Sequence, residues 1–143
     1  MKPYILSIDA GTTGIKILVL DAQAKICKIY YREFTQHYPK PGWVEHDGEE
    51  IWQVTYNLIQ SVFSEYKKQD CAGIGITNQR ETTIIWNRDT DKPIYHAIVW
   101  QCRRTQTICQ KLKDEAHEPE FKMRTGLVID SYFSGTKIKW LLD

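Results

Sequence analysis

The 143-residue chain carries 19 Lys and Arg against 18 Asp and Glu, a net charge of +1, with 42% hydrophobic and 26% charged residues. That mix belongs to a globular domain with one core, and the near-balance of charge argues against a general nucleic-acid or anionic-membrane surface. No apolar run approaches the roughly 18 to 20 residues of a membrane span.

The N-terminal residues, Met1 to Asp9, have an apolar stretch of only about five residues, too short for a signal peptide. Tyr4 to Ile8 and Ile15 to Leu20 read as two strands joined by the turn Asp9-Ala10-Gly11-Thr12-Thr13-Gly14. Asp21 to Ala24 turns into a third strand, Ile26 to Phe34, which suggests an antiparallel meander. Tyr38-Pro39-Lys40-Pro41-Gly42-Trp43 is a loop, because two prolines and a glycine preclude regular pairing.

Asp47 followed by Glu50 is a helix-start signature. Behind it Ile51, Thr55, Leu58, Ile59, Val62, Phe63 and Tyr66 make one apolar stripe, read as core packing. Ala72 to Thr77 is expected as a buried strand, Thr82 to Trp86 as another, and Ile94 to Trp100 as a third beyond the turn Asn87 to Pro93. Arg103 to Lys113 reads as a surface helix with Ile108, Cys109 and Leu112 inward. Ser134 caps a last helix that the chain does not visibly end, which suggests a fragment of a longer protein. Strands followed by alternating helices and strands place the chain in the α/β class with a mixed sheet.

Four cysteines, Cys27, Cys71, Cys102 and Cys109, form neither a CxxC pair nor a framework, so reduced thiols in a cytoplasmic protein are expected. The histidines are too scattered for a metal set.

Three clusters carry chemistry. The turn Asp9 to Gly14 suits phosphate: glycines let the backbone approach, hydroxyls and N–H groups face anionic oxygens, and Lys16 adds a positive charge. Asp9 is suited to a hydrated Mg²⁺. The pattern is neither GxxxxGK[ST] nor GxGxxG, and an ordinary hairpin turn accounts for it equally well. The run Gly73 to Thr83 ends an apolar stretch in Asn78-Gln79-Arg80-Glu81. An arginine fork donating to hydroxyl oxygens beside a carboxylate accepting from hydroxyl protons complements a vicinal diol. A local salt bridge or a solvated turn is the bland alternative, and against it stands the position: four polar residues end a glycine-rich apolar strand. Trp100-Gln101-Cys102-Arg103-Arg104 places an aromatic at another strand end, either as core or as a wall for the carbon face of a small polyol.

Taken with Tyr38 to Asp47, Ala97 to Thr105 and Thr125 to Lys137, these segments resemble the N-terminal portion of the FGGY family of carbohydrate kinases over nearly all 143 residues. Asn78 to Glu81 and Tyr132-Phe133-Ser134 match the glycerol-phosphorylating members in particular. The resemblance implies an actin-like, ribonuclease-H-like ATPase fold, incomplete at its C-terminal end. Residues 1–143 would be the substrate-binding part, with the second, nucleotide-binding domain absent. It implies ATP-dependent phosphorylation of glycerol to sn-glycerol 3-phosphate in the cytoplasm, by a protein that is a homo-oligomer in full length. Arg80, Glu81 and Tyr132 would hydrogen-bond glycerol and Trp100 would pack on its carbon edge. Gly11, Thr12, Thr13, Gly14 and Lys16 would face the nucleotide, and Asp9 would orient Mg²⁺ through water.

The family's catalytic base lies in a later segment, so no catalytic residue is expected here and the chain alone is expected to be inactive. Thr12-Thr13-Gly14-Ile15-Lys16 departs from the usual Thr-Thr-Ser-Ser-Arg, replacing an arginine fork by a point charge. A kinase of another sugar or polyol, and a non-catalytic fragment, are the alternatives.

Overall fold

The computed structural model describes residues 3–143, and their chain path divides into two compact units. Unit 1 holds residues up to Thr35 together with Asp47–Gln79, and unit 2 holds Gln36–His46 together with Arg80–Asp143. The chain therefore passes from one unit to the other three times, after Thr35, His46 and Gln79.

Two strands of unit 1 alternate between core and surface. Strand β1 (Tyr4–Ala10) turns Tyr4, Leu6 and Ile8 inward, and β2 (Gly14–Asp21) turns Ile15, Ile17 and Val19 inward. A two-residue period of this kind buries one face of a sheet and leaves the other exposed. Strand β3 (Ile26–Glu33) and β5 (Cys71–Thr77) complete the order β3-β2-β1-β5, with β1 and β5 parallel and the other pairs antiparallel. The sheet is mixed, as the sequence implies. Gly14 is fixed by this sheet: a Cβ there would lie 2.6 Å from the Arg32 carbonyl oxygen and 3.0 Å from the Glu33 Cα.

Helix α1 (Gly48–Glu65) covers the inner face and contacts β2 and β3. Its buried positions are Val54, Leu58 and Val62, flanked by the half-buried Ile51, Ile59, Phe63 and Tyr66. Val54, not Thr55, centres the stripe; Thr55 instead donates its hydroxyl to the Ile51 carbonyl at 2.8 Å. Asp47 caps the helix by accepting from the Glu49 N–H at 2.9 Å. Glu50 does not complete a reciprocal box. Its carboxylate accepts from the Thr35 N–H and hydroxyl, both at 3.0 Å. The expectation of a buried β5 is corrected: Ile76 is 74% exposed and Ile74 51%, because β5 is an edge strand and α1 packs on β2 and β3 toward the opposite edge.

Unit 2 has less regular structure. Short strands β4 (Glu45–His46) and β6 (Ala97–Ile98) pair antiparallel, extended by single bridges between Thr83 and Ile98 and between Trp86 and Pro93. The two strands expected over 82–86 and 94–100 thus shrink to isolated pairings around the turn at Asn87. Pro93 has no N–H to offer a ladder, and Asp91 adopts a left-handed φ of 54°. Helix α2 (Gln106–Asp114) starts three residues later than the sequence suggests, with Cys109 buried. Helix α3 (Glu118–Thr125), which the sequence does not announce, carries Pro119 in its first turn and stops at Gly126, whose φ of 73° favours a residue without Cβ. Helix α4 spans Ser134–Leu142.

An ion pair ties the early and late segments of unit 2 together. The fully buried Arg104 guanidinium donates to the Glu45 carboxylate at 2.6 Å and through Nε to the Cys102 sulfur at 3.1 Å. Its Nη1 is buried with no hydrogen-bond acceptor. The guanidinium carbon lies over the rings of Trp43 (4.0 Å), Trp140 (4.7 Å) and Tyr95 (5.7 Å), so aromatic faces take the part of solvent. Burial alone would raise the Glu45 carboxyl, but hydrogen bonds from Arg104 and Tyr95 outweigh it and hold it below its ordinary value of 4.5.

A depressed carboxyl contributes stability above its unfolded value and loses it as pH falls through the folded one. Unfolding by urea at pH 7 and at pH 4 should therefore show a larger loss in the wild-type chain than in Glu45→Gln. At pH 7 that variant should cost about 3–5 kcal/mol, because Arg104 stays buried without its counter-charge. Equal stability of the two chains at pH 7 would contradict this.

Candidate active site

In unit 1 the turn between β1 and β2 presents the phosphate-type residues. The Gly11 N–H donates to the Gly14 carbonyl at 3.1 Å, closing the turn. Asp9 and Lys16 are directly opposed in the β1–β2 register, and both are exposed on the sheet face away from α1. Thr13 is exposed as well, and Thr12 half-buried. Gly14 is buried inside the sheet, so its missing side chain is accounted for by β3 rather than by a ligand. Gln79, at the far end of β5, donates its Nε2 to the Gly11 carbonyl at 2.9 Å. The polar run that looks like a single grip in the sequence thus divides: Asn78 and Gln79 belong to unit 1, and Arg80 and Glu81 to unit 2. Gln79 braces the turn.

In unit 2 three of the four predicted diol-binding residues, Trp100, Tyr132 and Glu81, come together. The Trp100 and Tyr132 rings meet edge to face, with centroids 6.1 Å apart and planes at 70°. Both side chains are half-buried, which leaves surface for a ligand. Arg80 is exposed. Glu81 has a left-handed φ of 64°, a conformation that costs a non-glycine residue about 1–3 kcal/mol and must be held by its surroundings. Its carboxylate Oε2 accepts from the Ser134 N–H at 2.9 Å and from the Ser134 hydroxyl at 2.7 Å. Ser134 is therefore not the cap of α4, as the sequence suggests, but its first residue. The cap position, Phe133, offers no side-chain acceptor, and the Glu81 carboxylate supplies the negative charge that a helix start favours.

The loop before α4 is set by Asp130. Its carboxylate accepts from the Tyr132 N–H at 2.7 Å and from the Arg103 guanidinium at 3.1 Å, and Arg103 also reaches the Ser131 hydroxyl at 3.2 Å. The Trp100 N–H donates to the Thr82 hydroxyl at 3.2 Å. Three separate stretches, 80–83, 99–104 and 130–134, are thereby locked into one site.

Lys137 completes it, although nothing in the sequence singles it out. Its side chain has no exposure. Its ammonium donates to the Glu81 carbonyl at 2.8 Å and to the Tyr132 carbonyl at 2.5 Å. Burial lowers its pKa to about 8 against the opposing pull of Glu81, Cys102 and Asp130. The charged form is the one burial disfavours, so the fold bears that cost at neutral pH and sheds it as pH rises from about 8. Among the described residues no three His, Cys, Asp or Glu side chains are grouped to hold a metal, and no helix is long and apolar enough to cross a membrane.

A family model described as the N-terminal domain of the FGGY family of carbohydrate kinases matches residues 4–143. The chain belongs to the FGGY family. Among curated members it is 55% identical over 144 residues to glycerol kinase of Carboxydothermus hydrogenoformans and 54% identical to glycerol kinase of Desulforamulus reducens. Each alignment covers 99% of this chain and 29% of the relative, so the chain spans under a third of their length. Among solved structures, Plasmodium falciparum glycerol kinase with ADP superposes with a TM-score of 0.91 at 37% identity, over 99% of this chain and 29% of that one. Gluconate kinase from Lactobacillus acidophilus reaches the same TM-score at 22% identity, a likeness of fold alone. The α/β architecture with its mixed sheet is that of the actin-like ATPase fold of FGGY kinases.

Gln79→Ala should free the Gly11 carbonyl and loosen the β1–β2 turn of this FGGY chain. Amide hydrogen exchange at Thr12 and Thr13 should rise by about 5- to 10-fold while exchange in β3 is unchanged. Equal exchange in both chains would remove Gln79 from that role.

Proposed function

We propose that this chain carries the glycerol-binding and phosphate-facing residues of an ATP-dependent glycerol kinase. The observation that carries the reading is the joining of Trp100, Tyr132 and Glu81 in one locked site of unit 2. The half-buried aromatic pair offers an apolar edge to a three-carbon chain. Glu81, Tyr132 and the exposed Arg80 offer acceptors and donors for neighbouring hydroxyls. The indole leaves room for a small polyol in preference to a bulkier sugar. High identity to curated glycerol kinases supports the same substrate.

ATP supplies the phosphoryl group in such a reaction. The exposed Thr13 and Lys16 and the turn at Gly11 and Thr12 suit its anionic oxygens, and the exposed Asp9 carboxylate is a hard oxygen donor suited to Mg²⁺ through water. Positioning and charge neutralisation dominate this chemistry. The residues gathered here bind and orient, and we place the general base outside these 143 residues. Four free thiols support a reducing setting, the cytoplasm.

Coupled ADP-release kinetics test the reading on a chimera in which this chain replaces the matching 144-residue stretch of the Carboxydothermus hydrogenoformans enzyme. The chimera should phosphorylate glycerol and the 143-residue chain alone should not. Arg80→Ala in the chimera should raise the glycerol KM by about 10- to 100-fold and leave the ATP KM within about twofold. Turnover by the chain alone would overturn the missing base. Unchanged glycerol kinetics would remove Arg80 from the site, and a preference for a pentulose would favour another sugar kinase.

A further inference from the structure

We infer that Lys137 is a positioning residue for polyol binding: its buried ammonium, with Ser134 one turn earlier on α4, holds Glu81 and Tyr132 in the orientation the ligand needs. This rests on the reading of unit 2 as the polyol site. A left-handed backbone at a non-glycine residue such as Glu81 persists only if its neighbours over-determine it. Glu81 is held at both ends. Lys137 takes its carbonyl at 2.8 Å, and Ser134 takes one oxygen of its carboxylate through two donors. With Oε2 so occupied, the other carboxylate oxygen has a fixed direction in which to accept a ligand hydroxyl.

The same ammonium holds the Tyr132 carbonyl, and the Tyr132 N–H is held by Asp130. The peptide groups on both sides of Tyr132 are therefore anchored, and the ring can keep its edge-to-face contact with Trp100. A lysine in the first turn of a helix faces the positive end of the helix dipole, and full burial adds a desolvation cost. A residue placed purely for stability would not be a charged one there. The two carbonyls it holds are the main-chain groups of two ligand-binding residues, so one cation sets the spacing between them.

The charge also makes the arrangement sensitive to pH. The titratable and charged groups facing the ammonium are Glu81, Cys102, Asp130 and Arg103, with the Tyr132 ring at 6.0 Å. Loss of the Lys137 proton weakens its donation to both carbonyls, and this occurs as pH rises through about 8.

The test is glycerol titration of the full 143-residue chain, followed by NMR at the Trp100 indole N–H and the Ser134 amide, with a thermal melt of each variant. The unsubstituted chain should show saturable shifts whose affinity falls between pH 7 and 9. Lys137→Met should bind glycerol about 10-fold more weakly or worse, with no such pH slope and with a cooperative melt retained. Cys102→Ser should keep the slope, which separates the lysine from the thiol. Ser134→Ala should weaken binding about 3- to 10-fold and gives a second view of the same clamp if Lys137→Met does not fold. Saturable shifts in the unsubstituted chain that Lys137→Met, or a surviving Ser134→Ala, leaves unaltered would overturn the positioning role alone. No saturable shift in the unsubstituted chain would overturn the polyol reading and this proposal with it.

Discussion

A lysine ammonium sealed from water must be solvated by the protein itself, and in unit 2 that demand fixes three stretches of chain at once. Lys137 contributes the donors from α4, and the Glu81 and Tyr132 carbonyls come from two loops with no ladder of their own to hold them. Loops normally gain order from packing or from a ladder. Here a point charge takes that part, because its attraction to carbonyl dipoles survives in a low-dielectric surrounding where water cannot compete. The Glu81 carboxylate and the Asp130 carboxylate then extend the order outward to Ser134, Arg103 and the Tyr132 amide.

The Arg104–Glu45 pair plays a comparable part elsewhere in unit 2, by different means. Strands β4 and β6 are two residues each and could not hold together by backbone pairing alone. A guanidinium among Trp43, Tyr95 and Trp140 gives that region a core made of aromatic faces around a charge. Unit 1 has no such need. Its two inner strands alternate, its helix stripe fits them, and uncharged aliphatic and aromatic side chains make the core.

That contrast decides what is legible in the sequence. β1, β2 and β3 are readable as apolar runs separated by turn residues; burial then alternates in β1 and β2, whereas β3 buries only Tyr30. The run Gly73 to Thr77 reads as buried because apolar residues and glycines in a row have no polar face, and a sequence does not say which strand is outermost. Helix α3 leaves no such signal: with only Phe121 and Met123 as large apolar residues, it has no stripe to detect. Of the candidate site, Arg80, Glu81 and Trp100 can be singled out as side chains with obvious chemistry. Lys137 cannot. A lysine in a helix reads as solvent-facing, and its partners are main-chain carbonyls that leave no trace in residue identity.

The order in which the chain visits its two units carries a practical consequence. Residues 36–46 lie between two stretches of unit 1 in sequence, yet they belong with everything after Gln79. No single cut can separate the units as contiguous pieces. A cleavage between Gln79 and Arg80 would leave Glu45 on the N-terminal product and Arg104 on the other, each a bare charge built for burial, and would part β4 from β6. Limited proteolysis at that junction should therefore not yield two self-sufficient halves, and a truncation placed there would remove part of unit 2 along with unit 1.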